Sequence, residues 1–317
     1  MIKWSLFFFM ICLNTFNIRA EQDFRELYND AIEKINLKQY SEAELLLRKV
    51  TDINPNYFFA WYNLGMVLFE QKCFKESVEA FENAIKLDPK HYQTLFFLGK
   101  IYEISGDYNK AMDYYFNCLS IMSNAELFRR LASINVKLNN LTAATSLYKR
   151  SLNLEDNFIA WFGLGNAQRL LKDNGGAIES YKKASLLKPD NWQIYMNLAL
   201  TLSMVSKYKE AIDYYRKVVE LNPDYPEAWY NMANGYRCID DYTNALFAYH
   251  KAIEKRSNFK EAVYNLACCY AFLKDRNNSL KWLKEAVSLD PSLKNKARED
   301  KDFVIFRRDP NFKKIIK

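Results

Sequence analysis

The chain has 317 residues, 50% apolar, 16% aromatic and 26% charged, with a formal net charge of +7 and only 8 Gly and 7 Pro. A composition this apolar and this poor in Gly and Pro excludes a disordered chain. Two histidines, His91 and His250, no Cys-x-x-Cys, no Gly-rich phosphate loop and no Gly-x-Ser-x-Gly argue against motif-bearing enzymes and zinc modules. No cofactor, metal or catalytic constellation is expected.

Residues 1–20 read as a secretory signal peptide: a basic start at Lys3, an apolar run from Trp4 to Leu13, and a polar stretch closing on Ala20, where cleavage would fall. The alternative is an uncleaved anchor, but the run covers roughly half of what a spanning helix needs. Lipid modification of Cys12 is disfavoured by bulky Ile11 before it. An exported protein is therefore expected, periplasmic, secreted or in the lumen of a secretory pathway. Removing Lys3 and Arg19 leaves a charge of +5, and residues 294–317 alone hold nine Lys or Arg against four acids. The body is neutral and the tail basic, so nothing forms the basic stripe of a nucleic-acid binder.

Along the rest of the chain one phrase returns: Trp61-Tyr-Asn-Leu-Gly65, Leu95-Phe-Phe-Leu-Gly99, Trp161-Phe-Gly-Leu-Gly165, Tyr195-Met-Asn-Leu-Ala199 and Trp229-Tyr-Asn-Met-Ala233. Aligned on it, residues 24–293 fall into eight units, 24–57, 58–91, 92–124, 125–157, 158–191, 192–225, 226–259 and 260–293. All are 34 residues long except the third and fourth, which have 33. The eighth place of every unit (Ala31, Gly65, Gly99, Ala132, Gly165, Ala199, Ala233, Ala267) is Gly or Ala. The twentieth (Ala43, Ser77, Ala111, Ala144, Ala177, Ala211, Ala245, Ser279) is Ala or Ser. Small residues at both places predict two antiparallel helices that cross closely, with Phe81, Tyr115, Tyr148, Tyr181, Tyr215 and Tyr249 as the bulky partners. Pro55, Pro89, Pro189, Pro223 and Pro291 stop the second helix; Ser123, Asp156 and Ser257 stand there in the third, fourth and seventh units.

This pattern resembles the tetratricopeptide repeat family over the whole chain except its two ends. The resemblance implies an all-α fold: a right-handed superhelical solenoid of about eight helix-turn-helix repeats whose first helices line a concave face. A stacked array needs a polar cap. Residues 294–317 are expected to supply a capping helix, with Phe303, Phe306, Phe312 and Ile316 inward and the cations in water. Docking of this basic tail on an anionic membrane or an acidic partner is the alternative.

Places two, five, nine and twelve of each first helix fall on the side opposite the packing residues. They read Phe59, Tyr62 and Met66; Phe96 and Lys100; Arg129 and Ser133; Ile159, Phe162, Asn166 and Arg169; Met196 and Leu200; Tyr230, Asn234 and Arg237; Tyr264 and Cys268. An aromatic and apolar stripe with a basic centre at Lys100, Arg129, Arg130 and Arg169 suits protein binding, while packing between neighbouring first helices is the competing use. Beside it, at place six, stand Asn29, Asn63, Asn197, Asn231 and Asn265. These look like the asparagine ladder in the repeat region of O-linked N-acetylglucosamine transferases, which implies a hold on the backbone of an extended peptide; tying adjacent units together is the other reading. Arg129 and Arg130 offer a carboxylate grip, but the Lys and Asn set of chaperone-binding repeat domains is not found in order.

After cleavage five cysteines remain, Cys73, Cys118, Cys238, Cys268 and Cys269, an odd set that forms no disulfide framework. A Cys238–Cys268 bond is weighed against free thiols, which are favoured. Two sequons, at Asn140 and Asn277, lie in turns between paired helices. Function is expected to be that of an exported, non-enzymatic scaffold that binds proteins or extended peptides in its groove, assembling or positioning components of an envelope or secretory compartment. The alternative is an accessory subunit that presents substrate to a separate enzyme such as a glycosyltransferase.

Overall fold

The computed structural model describes residues 24–317, and the signal-peptide reading lies outside the described residues. Among these residues the regular elements are all helical. First helices are α1 (24–36), α3 (Phe58–Glu70), α5 (Tyr92–Ser105), α7 (Ala125–Lys137), α9 (Phe158–Leu170), α11 (Trp192–Met204), α13 (Pro226–Cys238) and α15 (Lys260–Phe272). Their partners are α2 (Tyr40–Ile53), α4 (Phe74–Leu87), α6 (Tyr108–Ile121), α8 (Leu141–Leu154), α10 (Asn174–Leu187), α12 (Tyr208–Leu221), α14 (Tyr242–Lys255) and α16 (Arg276–Leu289). The chain divides into two compact halves within α7, one ending at Ile134 and the other running from Asn135 to Lys317.

In the first half, the pairs close because there is no side chain at the crossing. A Cβ on Gly65 would come within 2.6 Å of the Phe81 ring, and one on Gly99 within 2.6 Å of Tyr115. Ser77 uses the same proximity, its hydroxyl donating to the Gly65 carbonyl at 2.7 Å. In the second half Gly165 meets Tyr181 and Ser279 donates to the Ala267 carbonyl at 3.1 Å, while Ala177, Ala199, Ala211, Ala233 and Ala245 are fully buried. Tight crossings of this kind add up many small dispersion contacts per ring.

Joints between successive pairs use tryptophan. Trp61 Nε1 donates to the Pro55 carbonyl at 2.8 Å, and Trp229 Nε1 to the Pro223 carbonyl at 3.0 Å. Where Asp156 replaces the proline, its carboxylate accepts from Trp161 Nε1 at 2.5 Å. Asp107, Asp173, Asp241 and Asp275 cap the second helices α6, α10, α14 and α16, each accepting a backbone N–H three residues on.

The turn inside every pair passes through a left-handed residue at the fifteenth place: Lys38, Lys72, Gly106, Asn139, Lys172, Ser206, Asp240 and Lys274 all have positive φ. Glycine fills only one of these eight, so the turn left no signature in the sequence.

The tail departs from the expected single capping helix. It forms α17 (Leu293–Glu299), a 3-10 turn (Lys301–Phe306) and α18 (Pro310–Ile316). Asp300 and Asp309 cause the breaks, since each leaves the helical region and turns its carboxylate onto the N–H groups that follow. Phe303, Phe306 and Phe312 are buried against Val263, Tyr264, Ala267, Leu280 and Leu283, and Ile316 packs partly on the same cluster. No helix among the described residues is long and apolar enough to cross a membrane.

Candidate peptide groove

In the first half, much of the predicted stripe is already engaged by neighbouring side chains. Tyr62 is half-buried, stacked on Phe58 at 6.0 Å and edge-on to His91 at 5.0 Å, and burial raises its pKa. Phe59 stands exposed beside it. Asn63 Nδ2 donates to the Tyr28 phenol of the preceding unit at 2.9 Å. Lys100 lies 4.7 Å over the Phe69 ring.

Arg130 is not an open carboxylate clamp. Its guanidinium lies 5.3 Å over Phe96 and pairs with Glu103 at 3.1 Å and Glu126 at 2.9 Å. Burial works against its charge, but Tyr115, Glu126 and Glu103 outweigh that and raise its pKa. The Tyr115 phenol donates to Glu103 at 2.7 Å; burial, then this carboxylate, hold it well above the ordinary tyrosine range. Glu103 occupies place twelve of its helix, and its partners lie on two other helices, so no sequence spacing marks the pair. Arg129 is half-buried on the same helix as Arg130.

The second half carries its own stretch of the stripe. Phe162 rests 5.8 Å from the Tyr181 ring, Tyr181 donates to Asn166 Oδ1 at 2.8 Å, and Ile159 is 51% exposed. Arg169 completes this patch. Burial raises the pKa of the Tyr181 phenol and the Arg169 guanidinium opposes it, so the two groups are neighbours. The Nε of Arg169 is buried without a hydrogen-bond partner among the described residues.

Further along, Tyr230 is half-buried against Tyr249 and Phe259. Asn265 Nδ2 donates to the Tyr230 phenol at 3.3 Å and to Asn234 Oδ1 at 3.1 Å, which also accepts from Tyr249 at 2.5 Å. Asn197 donates to the Gln193 carbonyl of its own helix at 2.9 Å, and Asn231 is half-buried. The place-six asparagines therefore do not form one uniform ladder: Asn63 and Asn265 tie a unit to its predecessor.

Three stripe residues are corrected by the structure. Met196 is 7% exposed within the core, and Tyr264 and Cys268, each 2% exposed, lie beneath the tail. Tyr264 donates to Asp300 at 2.7 Å, packs edge-on against Phe303 and sits under Lys296. For Tyr264 and Cys268 the reason is local: the segment from α17 to α18 folds back over this face of α15.

Models of the tetratricopeptide repeat match residues 58–91 and 192–225, 92–122 and 260–293, and 129–191, together more than half of the chain. The chain belongs to the tetratricopeptide repeat family. The two compact halves are thus built of one kind of repeat. The chain is 28% identical over 92 residues to anaphase-promoting complex subunit 3 of Schizosaccharomyces pombe, which covers 29% of this chain and 14% of that one. It is 24% identical over 128 residues to general transcription factor 3C polypeptide 3 of Homo sapiens, covering 38% and 14%. The chain thus spans well under a quarter of the length of either relative. Among solved structures, the C-terminal part of a tetratricopeptide repeat protein from Cytophaga hutchinsonii superposes with a TM-score of 0.65 at 17% identity, covering 73% of this chain and 96% of that one.

The repeats also gather the chain's one cluster of potential metal ligands among the described residues. Cys268, Asp300 and Asp302 each bring a ligand atom within 4.8 Å of the others. Here they act as a clasp on the tail: Asp300 accepts from Tyr264, and Asp302 pairs with Arg237 at 3.5 Å. Cys73, Cys118, Cys238, Cys268 and Cys269 are all free thiols, so the Cys238–Cys268 bond does not form.

Proposed function

We propose that this repeat protein is an exported, non-enzymatic scaffold that holds proteins or extended peptides on the first helices of its second half, positioning other components of an envelope or secretory compartment. The single observation that carries the reading is Arg169. A buried guanidinium nitrogen with no partner costs stability unless an acceptor arrives, and here its side chain neighbours Tyr181, which donates to Asn166 and packs against Phe162, with exposed Ile159 about three turns back on the same helix. An extended peptide supplies backbone carbonyls for Arg169 and apolar side chains for Phe162 and Ile159. Support for a scaffold also comes from kinship, since one relative is by name a subunit of a complex. Export rests on the order of residues 1–20.

The test is affinity capture from cell extract with residues 21–317, run beside Arg169→Gln and Phe162→Ala variants whose melting curves match the parent. A partner retained by the parent and lost by both variants supports the groove. Equal capture by all three sinks it. N-terminal sequencing of the native protein, starting at Glu21 or at Met1, decides the export claim.

A further inference from the structure

A second surface lies away from the groove, between α16 and the tail. A cleft of about 620 Å³ runs along one stripe of α16 and is closed on its other side by α17 and α18. Its rim carries Arg276, Lys281, Lys284, Lys294 and Lys314, with no Asp or Glu among the lining residues. Arg276 is neutralised by Asp309, but the four lysines have no ion-pair partner among the described residues. The floor is apolar: Leu280 and Val287 are buried within the core of the last repeat, and Ile315 is half-buried opposite them.

We infer that this cleft binds an acidic amphipathic peptide segment, one whose apolar side chains enter between Leu280, Val287 and Ile315 while flanking carboxylates meet Lys281, Lys284, Lys294 and Lys314. Charge complementarity selects the sign of the occupant. Four unpaired ammonium groups around one depression repel each other, and an anionic partner converts that repulsion into attraction. Shape selects its class. A bilayer is met by protruding apolar side chains that insert into it. The apolar atoms of this cleft are instead recessed below their cations, which suits a side chain that inserts into the protein. The exposed apolar residues of the tail, Val304 and Ile305, do not line the cleft. The α16 stripe from Arg276 to Ser288 spans roughly 18 Å, about the length of a three-turn helix.

The test is fluorescence anisotropy of a labelled peptide of about 12 residues, with Leu at helical i, i+3, i+4 and i+7 spacing and Glu elsewhere, titrated with residues 21–317. Two control peptides replace Glu by Gln or Leu by Ala. The expected result is saturable binding that weakens with added salt, is lost with either control, and falls roughly tenfold or more in a Lys281→Glu/Lys284→Glu/Lys314→Glu variant, whose changes are at exposed positions and leave the fold intact. Binding unchanged in that variant, or equal for the Gln peptide, overturns the inference. So does a loss that follows Arg169→Gln instead, which would place the peptide in the groove. Co-sedimentation with phosphatidylglycerol/phosphatidylcholine vesicles through the same lysines, without peptide binding, overturns it in favour of a membrane site.

Discussion

The phenol of Tyr230 accepts a hydrogen bond from Asn265, one unit further along the chain, at 3.3 Å. The relationship recurs with changing chemistry. Tyr28 accepts from Asn63, Phe96 lies under Arg130, and at the end of the array Tyr264 donates to Asp300. In each case an aromatic side chain at place five is gripped by a polar residue from the next unit or, after the last unit, from the tail, so a position that seems to face a ligand first serves the joint between units. Replacing Asn265 by Ala strips partners from both Tyr230 and Asn234 and is expected to cost about 1–3 kcal/mol. Asn231→Ala removes no described bond and is expected to stay within about 0.5 kcal/mol. Urea denaturation of the two variants, followed by far-UV circular dichroism, checks the contrast; equal midpoints would show that the joint does not depend on Asn265.

The left-handed turn residues make a prediction with two signs. Gly106 has φ +83° and open space around its Cα. Gly106→Ala therefore meets no clash but forces an L-residue into the left-handed region, at a cost of about 1 kcal/mol. Lys172, at φ +63°, already bears that cost, so Lys172→Gly is expected to be neutral or stabilising by up to about 1 kcal/mol. Opposite shifts of the melting temperature confirm the turn geometry.

How far the fold was legible follows from these cases. The small residues at places eight and twenty exist because two helices touch there, so each leaves a mark in the sequence at its own position, and α3, α5, α7, α9, α11, α13 and α15 begin at the residues that open the sequence units. The turn was not legible because the strain of a left-handed L-residue, about 1 kcal/mol, is borne here by Lys, Asn, Ser and Asp in place of glycine. The groove was only partly legible. Helical spacing places Tyr230 and Tyr264 on the same face, yet what covers that face comes from elsewhere: Asn265 in one case, the Asp300–Phe303 segment in the other. Glu103 left no signal for the same reason, since an ion pair between helices has no fixed spacing.

Overpacking tests the helix crossing. A Cβ on Gly165 would come within 2.7 Å of the Tyr181 ring, whereas one on Gly175 would meet only Asp173 at 4.0 Å. Gly165→Leu is expected to destabilise by about 1–3 kcal/mol, because the ring and the backbone must separate. Gly175→Ala, in the first turn of α10, is expected to stabilise by about 0.5–1 kcal/mol through reduced unfolded-state entropy. Thermal melts that rank the two the other way would place the crossing elsewhere.

His91 gives the first half a pH dependence. Its Nδ1 accepts the Thr94 N–H at 3.3 Å as the cap of α5, a role that requires an unprotonated nitrogen, and burial beside Phe58 and Tyr62 lowers its pKa below the ordinary 6.5. With the folded pKa below the unfolded one, the contribution is complete above pH 6.5 and is lost as pH falls through the lower folded value. His91→Asn keeps an acceptor at the cap without titrating. Its melting temperature is expected to fall less between pH 7 and pH 5 than that of the parent, as followed by differential scanning fluorimetry; identical slopes would remove His91 from the acid response.

Thiol chemistry reads out the tail. Cys73 and Cys238 are exposed, whereas Cys118, Cys268 and Cys269 are buried. Burial drives the Cys268 thiol far above its usual pKa, with Asp300 and Asp302 adding to the effect, and pushes Cys118 up to about 12. A protonated, covered thiol is inert. Mass mapping after a brief pulse of iodoacetamide is expected to label Cys73 and Cys238 and to spare the other three. Phe303 is fully buried between Tyr264 and Phe312, so Phe303→Ala costs the tail about 3–5 kcal/mol, enough to release it locally. Labelling of Cys268 should then rise while Cys118, in the other half of the chain, stays protected. If Cys268 remains silent in that variant, the tail is held by its clasp of Tyr264–Asp300 and Arg237–Asp302, and the Tyr264→Phe/Arg237→Gln pair becomes the change that frees it.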